Sequence, residues 1–117
     1  MNELLLEWKE LLKLYDWEIT LSDNEYTLPG PGCCGYTEWS EAGKSAHIYL
    51  LNEEAYGDRV VKYDKEKTLV HELLHLKFSL LDQPENTLQS RVLHQLIDDT
   101  AKALVSAKRH SIKNCCE

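Results

Sequence analysis

The stretch Asp64-Lys65-Glu66-Lys67-Thr68-Leu69-Val70-His71-Glu72-Leu73-Leu74-His75-Leu76 decides how this chain is read. Leu69, Val70, Leu73, Leu74 and Leu76, continued by Leu80 and Leu81, make a helix over about residues 65–81 apolar on most of its circumference. Such a helix is expected at the centre of the molecule. Asp64 stands where an N-cap belongs, and Glu66 lies near the positive end of the helix dipole. His71 and His75 are one turn apart and therefore share a face. Two neutral imidazoles at that spacing can hold a zinc ion together. Glu72, the next residue after His71, can reach a water on the metal without ligating it, and can take its proton as the water attacks a carbonyl. With 5 histidines and 13 glutamates in 117 residues, chance would set His-Glu-x-x-His in roughly 2% of such sequences. The competing account is an amphipathic helix whose histidines are satisfied by hydrogen bonds in the core. Burying two histidines and a glutamate without partners would be costly, which favours a joint role.

Downstream, Asp82-Gln83-Pro84 breaks the pattern, and Pro84 suits the first turn of a following helix. That helix is expected over about residues 85–108, with Val92, Leu93, Leu96, Ile97, Ala101, Leu104 and Val105 on its buried side. A zinc site of this kind needs a third protein ligand and an open fourth position. His94, Asp98 and Asp99 are the candidates, with Glu85 at the first turn a weaker one. His94 and Asp98, one turn apart, share a face that borders the apolar stripe.

Upstream, Leu4, Leu5, Trp8, Leu11, Leu12 and Tyr15 recur at helical spacing over residues 2–15. Residues 16–22 alternate as a half-buried strand does. Residues 23–35, with Pro29-Gly30-Pro31-Gly32, read as a loop. A second strand over residues 35–40, a turn at 41–44 and a third strand over 45–51 complete a small sheet, and the polar segment 52–63 receives no assignment. The fold class is α+β in a single domain spanning residues 1–117: an N-terminal helix, a three-stranded sheet, the motif helix and a long C-terminal helix.

Composition narrows the function classes. The chain is 43% hydrophobic and 28% charged, ordinary usage for a globular domain. No apolar run approaches the roughly 20 residues that cross a bilayer, so no membrane partner is expected. The opening Met1-Asn2-Glu3-Leu4-Leu5-Leu6-Glu7 carries acids where a secretory signal would be positive, which points to a cytoplasmic protein. A net charge of −7 without a lysine or arginine stripe argues against nucleic-acid binding, and would favour basic protein segments as partners. Cys33-Cys34 and Cys115-Cys116 are adjacent pairs, poorly placed to bridge internally and lacking a zinc-knuckle spacer, so reduced thiols are expected. Either pair also offers a thiolate that could close the open position of a zinc site.

His71-Glu72-Leu73-Leu74-His75 followed by a second helix resembles the zincin metallopeptidases, especially the thermolysin-like gluzincins. In those enzymes the downstream helix carries Glu-x-x-x-Asp, the glutamate ligating zinc and the aspartate supporting a ligand histidine. Here the corresponding stretch is His94-Gln95-Leu96-Ile97-Asp98, with histidine in the glutamate's place. The resemblance implies His94 as third ligand and Asp98 as the carboxylate that fixes an imidazole's tautomer. The alternative is that Asp98 ligates directly and His94 is a neighbour. Three-histidine zincins exist, SprT-like proteins among them. Size and element order are also similar to minimal zincins of small bacterial and phage-encoded type. In zincins an edge strand pairs with extended substrate, and residues 45–51 are the candidate for it here.

Smaller assignments follow. His47 reads as a surface residue, and His110 as a cation near a helix C-terminus. Tyr36, Tyr49, Tyr56 and Tyr63 are candidates for stabilising an oxyanion. The expected function is a Zn2+-dependent metallopeptidase acting on peptide or protein substrate, with Glu72 as general base and His71, His75 and His94 on the metal. A zinc-containing but inactive binding module is the alternative, and a metal-free structural protein a third reading.

Overall fold

Among the residues that the computed structural model describes (1–25, 28–29, 33–57 and 61–115), the elements are α1 (Asn2–Leu11), β1 (Glu18–Glu25), β2 (Gly35–Ser40), β3 (Ser45–Leu51), a short α2 (Glu53–Tyr56), α3 (Lys65–Lys77), a 3₁₀ turn (Ser79–Leu81) and α4 (Leu88–Cys115). The architecture is α+β, with the sheet ordered β1-β3-β2. β3 is paired parallel to β1 and antiparallel to β2.

Helix α3 is the centre, as its apolar circumference predicts. Leu69, Val70, Leu73, Leu74 and Leu76 are all buried. They pack with Leu5 and Trp8 of α1, Ala46, Ile48 and Leu50 of β3, and Ile97, Ala101 and Val105 of α4. Asp64 caps the helix as expected, its Oδ1 accepting the Lys67 backbone N–H at 3.1 Å.

Element boundaries moved where local pattern competes with packing. α1 ends at Leu11 rather than Tyr15, because Lys13 takes φ 57° and turns the chain. That turn buries Leu14 and Trp17 and leaves Leu11 and Tyr15 exposed. β1 begins two residues later than expected and runs on to Glu25. Of the loop read over residues 23–35, positions 26–27 and 30–32 lie outside the described residues, as do positions 58–60. α3 stops at Lys77, and the 3₁₀ turn that follows leaves Leu80 and Leu81 in solvent. Pro84 stands ahead of α4 instead of in its first turn. Thr87 is the cap, accepting the Ser90 N–H at 3.1 Å. The core side of α4 is narrower than its apolar content suggested: Val92 and Leu96 are 50% and 58% exposed.

A polar network joins the helices at one end. Glu66 accepts Trp8 Nε1 at 2.8 Å and Lys108 Nζ at 2.6 Å. Arg109 spans Asp64 at 2.7 and 2.9 Å and Glu66 at 3.1 Å. The Arg109 hydrogen bond lowers the pKa of Asp64. Burial opposes ionisation of Glu66, but its bonds to Lys108, Trp8 and Arg109 outweigh it and lower its pKa also. Both folded values lie below the unfolded ones, so this stabilisation is present above the ordinary carboxylate range and is lost as pH falls through the folded values. Urea midpoints measured from pH 7 downward should therefore fall on acidification, and Arg109→Ala should flatten that fall by returning Asp64 toward its ordinary value.

Candidate metal centre and active site

His71 and His75 lie one turn apart on α3, with ring centroids 5.1 Å apart. α4 packs against that face and brings His94 to 5.0 Å from His75. One ring nitrogen from each of the three lies within 4.8 Å of the other two, a grouping that can hold a metal ion. Among the described residues no other group of histidine, cysteine and acidic side chains does so. Of the remaining candidates, Asp98 lies behind His71, its Oδ1 3.3 Å from Nδ1. Asp98 Oδ2 meets Lys102 Nζ at 2.9 Å. A carboxylate only accepts there, so Nδ1–H donates and Nε2 is the nitrogen that His71 has left for a metal. Asp99 is exposed and accepts from Gln95 at 3.1 Å, and Glu85 borders the cleft without joining the histidines.

The chemistry of these donors fits a divalent transition metal, which neutral imidazoles bind. Burial lowers the pKa of His71, against the pull of Asp98. Burial also drives His75 down to about 4, helped by repulsion from His71 and His94.

Glu72 points from α3 toward β2. Strand alternation turns Gly35, Thr37 and Trp39 toward the helix and Tyr36 and Glu38 away from it. Thr37 Oγ1 donates to Glu72 Oε1 at 2.7 Å. A Cβ at position 35 would lie 2.8 Å from Thr68 Cγ2 and 3.0 Å from Glu72 Oε2, so only glycine lets strand and helix approach this closely. Glu72 is 7% exposed. Burial pushes its pKa up to about 7, with the Thr37 hydrogen bond acting the other way.

A cleft of about 310 Å³ lies along β2, lined by His71, Glu72, His75 and His94 together with Trp39, Asp82 and Glu85. On the other side of His71 and Glu72 is a cavity of about 300 Å³ that also holds Cys34, Lys67, Thr68 and Asp98. The strand beside the site is thus β2. Residues 45–51, expected as the edge strand for substrate, form the central strand, hydrogen-bonded on both sides. The order follows from β1 docking parallel to β3, a non-local pairing.

The smaller assignments resolve as follows. His47 is on the outer sheet face, between Thr20 Oγ1 at 2.9 Å and Ser22 Oγ at 2.8 Å. His110 is exposed but lies within α4, which continues to Cys115, so it is not at the helix end. The rings of Tyr36 and Tyr49 pair on the outer face, and Tyr63 donates to the Leu51 carbonyl at 2.9 Å while stacking on Tyr56. Cys33 donates to the Gly35 carbonyl at 2.9 Å, and burial raises its pKa, so it is a protonated thiol. The side chain of Cys115 and all of Cys116 lie outside the described residues. Sequence reasoning missed Thr37, Gly35 and Lys67. Inward alternation along β2 marks the first two, and Lys67 shares a helix face with His71 four residues later.

The chain matches no protein-family model, no curated protein and no solved structure.

Burial of Glu72 has a measurable cost. Its folded value of about 7 exceeds the ordinary 4.5, so its contribution to stability is fully present below pH 4.5 and lost as pH rises through 7. The loss amounts to about 3 kcal/mol. His75, with a folded value near 4 against 6.5, acts oppositely, losing stability as pH falls. Comparing metal-free wild type with Glu72→Gln isolates the glutamate. By urea denaturation the variant should gain on wild type between pH 5 and 8. A constant difference across that range contradicts the assignment.

Proposed function

We propose that this domain is a small zincin-like zinc metallopeptidase that hydrolyses peptide bonds of an extended peptide or protein segment. One observation carries the reading: three imidazoles from two packed helices converge, with a carboxyl group on the residue next to the first of them. His71, His75 and His94 would hold the metal, and Asp98 would fix the tautomer of His71. A zinc ion held there would act as a Lewis acid and lower the pKa of a coordinated water. Glu72 accepts the proton of the attacking water and later delivers it to the leaving amine. Thr37 positions that carboxyl by holding Oε1 and leaving Oε2 for the proton. β2 pairs only with β3 among the described residues, so its outer edge is the strand along which an extended substrate would hydrogen-bond. The thiols of Cys33 and Cys34 suit a reducing compartment such as the cytoplasm.

One observation favours a second reading, a zinc-containing module without turnover. Glu72 is deeply buried, and with a pKa near 7 it is a half-protonated base at neutral pH.

Zinc-loaded protein should cleave an unstructured peptide library, and Glu72→Gln should abolish cleavage while keeping zinc. Full activity in Glu72→Gln would falsify the mechanism, and zinc retention without cleavage in wild type would select the module. Elemental analysis should find one zinc per chain in wild type and none in His94→Ala. Asp98→Ala should bind zinc roughly 10- to 100-fold more weakly, measured by chelator competition.

A further inference from the structure

The two cavities that meet at His71 and Glu72 differ in charge. The cleft on one side contains Asp82 and Glu85, and the cavity on the other contains Lys67. Lys67 stands one turn before His71 on the same face of α3 and is half-buried. The carboxylates near it are already engaged. Asp64 is held by Arg109 at 2.7 and 2.9 Å. Asp98 is held by Lys102 at 2.9 Å and His71 at 3.3 Å. Among the described residues Lys67 makes no ion pair, and neither do Asp82 and Glu85.

Lys67 acts at a distance on Asp64 and Asp98 but is in direct ion contact with neither, and a lysine so placed, lining a cavity that opens onto the reacting groups, is set to receive an anion. The anion that a peptide carries is a carboxylate, either an acidic side chain or the chain's own C-terminus. At the opposite end Asp82 and Glu85 repel the same group and attract a cation. We propose that Lys67 is a specificity-determining residue, and that the groove selects peptides with a carboxylate on one side of the metal centre and a neutral or basic residue on the other. Which bond is cut rests on the peptidase reading, but the charge selection is a property of binding and can be measured without turnover.

The test uses zinc-loaded protein and peptides identical except for Glu, Gln or Lys at each position flanking the cleaved bond, each made with a free and an amidated C-terminus. At one position the Glu peptide should exceed the Gln peptide about fivefold in kcat/KM, the scale of a partly exposed ion pair. Lys67→Met should bring that ratio to one, Lys67→Arg should retain it, and Lys67→Glu should shift preference to the Lys peptide. A preference that follows the free C-terminus identifies the chain end as the source of the carboxylate, and one that follows Glu in the amidated set identifies the side chain. If no peptide is cleaved, the peptidase reading fails. The same peptides are then titrated by fluorescence anisotropy onto zinc-loaded wild type and Lys67→Met, where the same ratio in Kd still supports the inference. Equal handling of Glu and Gln peptides by wild type, or a preference unchanged in Lys67→Met, overturns it.

Discussion

Helix α3 carries a glutamate and two histidines through the driest part of the molecule, and the apolar burial around them governs what those groups can be. Removal from water is the largest influence on Glu72, His71 and His75 alike. It acts against charge on each, raising the acid and lowering the bases. The outcome is a pair of imidazoles with donor nitrogens available beside a carboxyl group whose ionisation is held back to about pH 7. Positive charge introduced among the imidazoles would pull Glu72 toward its carboxylate. Glu72 and the neighbouring imidazoles are therefore one electrostatic unit.

How much of this could be read from the residues depends on how local each feature is. His71 and His75 lie one turn apart, so their spacing alone fixes their shared side of the helix, with Glu72 about 100° round from the first of them. Asp64 as cap and the burial of Leu69, Val70 and Leu73 are equally local, and the structure agrees with them. His94 is 19 residues beyond His75. No pattern within α4 singles it out from Asp98 or Asp99, and the resemblance to zincins supplied that ordering. Packing of α4 on α3 brings His94 to the other two histidines and leaves Asp98 behind His71. The strand order was not legible at all. All three strands are legible from their patterns, but the parallel contact of β1 with β3 joins residues 27 apart in the chain, as Glu18 with Ser45, and alternation within a strand says nothing about its neighbours. Val92 and Leu96 mislead for a related reason. An apolar helical position reveals its burial only once the surfaces around the helix are known.

The site is composite in a second sense. α3 carries Glu72 and two of the histidines, but β2 shapes the space around them. Gly35 removes a side chain where strand and helix nearly touch, and Thr37 supplies a hydroxyl that reaches the buried carboxyl. Among the described residues β2 is paired with β3 alone, so the strand that orients Glu72 also has its other edge beside the cleft. Orientation of Glu72 and the free edge beside the cleft thus fall to the same six residues.

Among the described residues the ion-pair network around Glu66 shares no hydrogen bond with the histidines, although Glu66 stands only five residues before His71 on α3, and it bears on His94 through α4. Lys108 lies fourteen residues beyond His94 on α4, about 21 Å along the axis at the usual rise. A rod of that kind transmits rotation with little loss. Contacts at Lys108 and Arg109 act together with the buried Ile97, Ala101 and Val105 in setting which side of α4 carries His94 toward α3. A twist of about 10° at the far end, at a side-chain radius near 6 Å, would carry that ring about 1 Å off line. The network is thus one of several contacts that hold α4 where His94 meets His71 and His75.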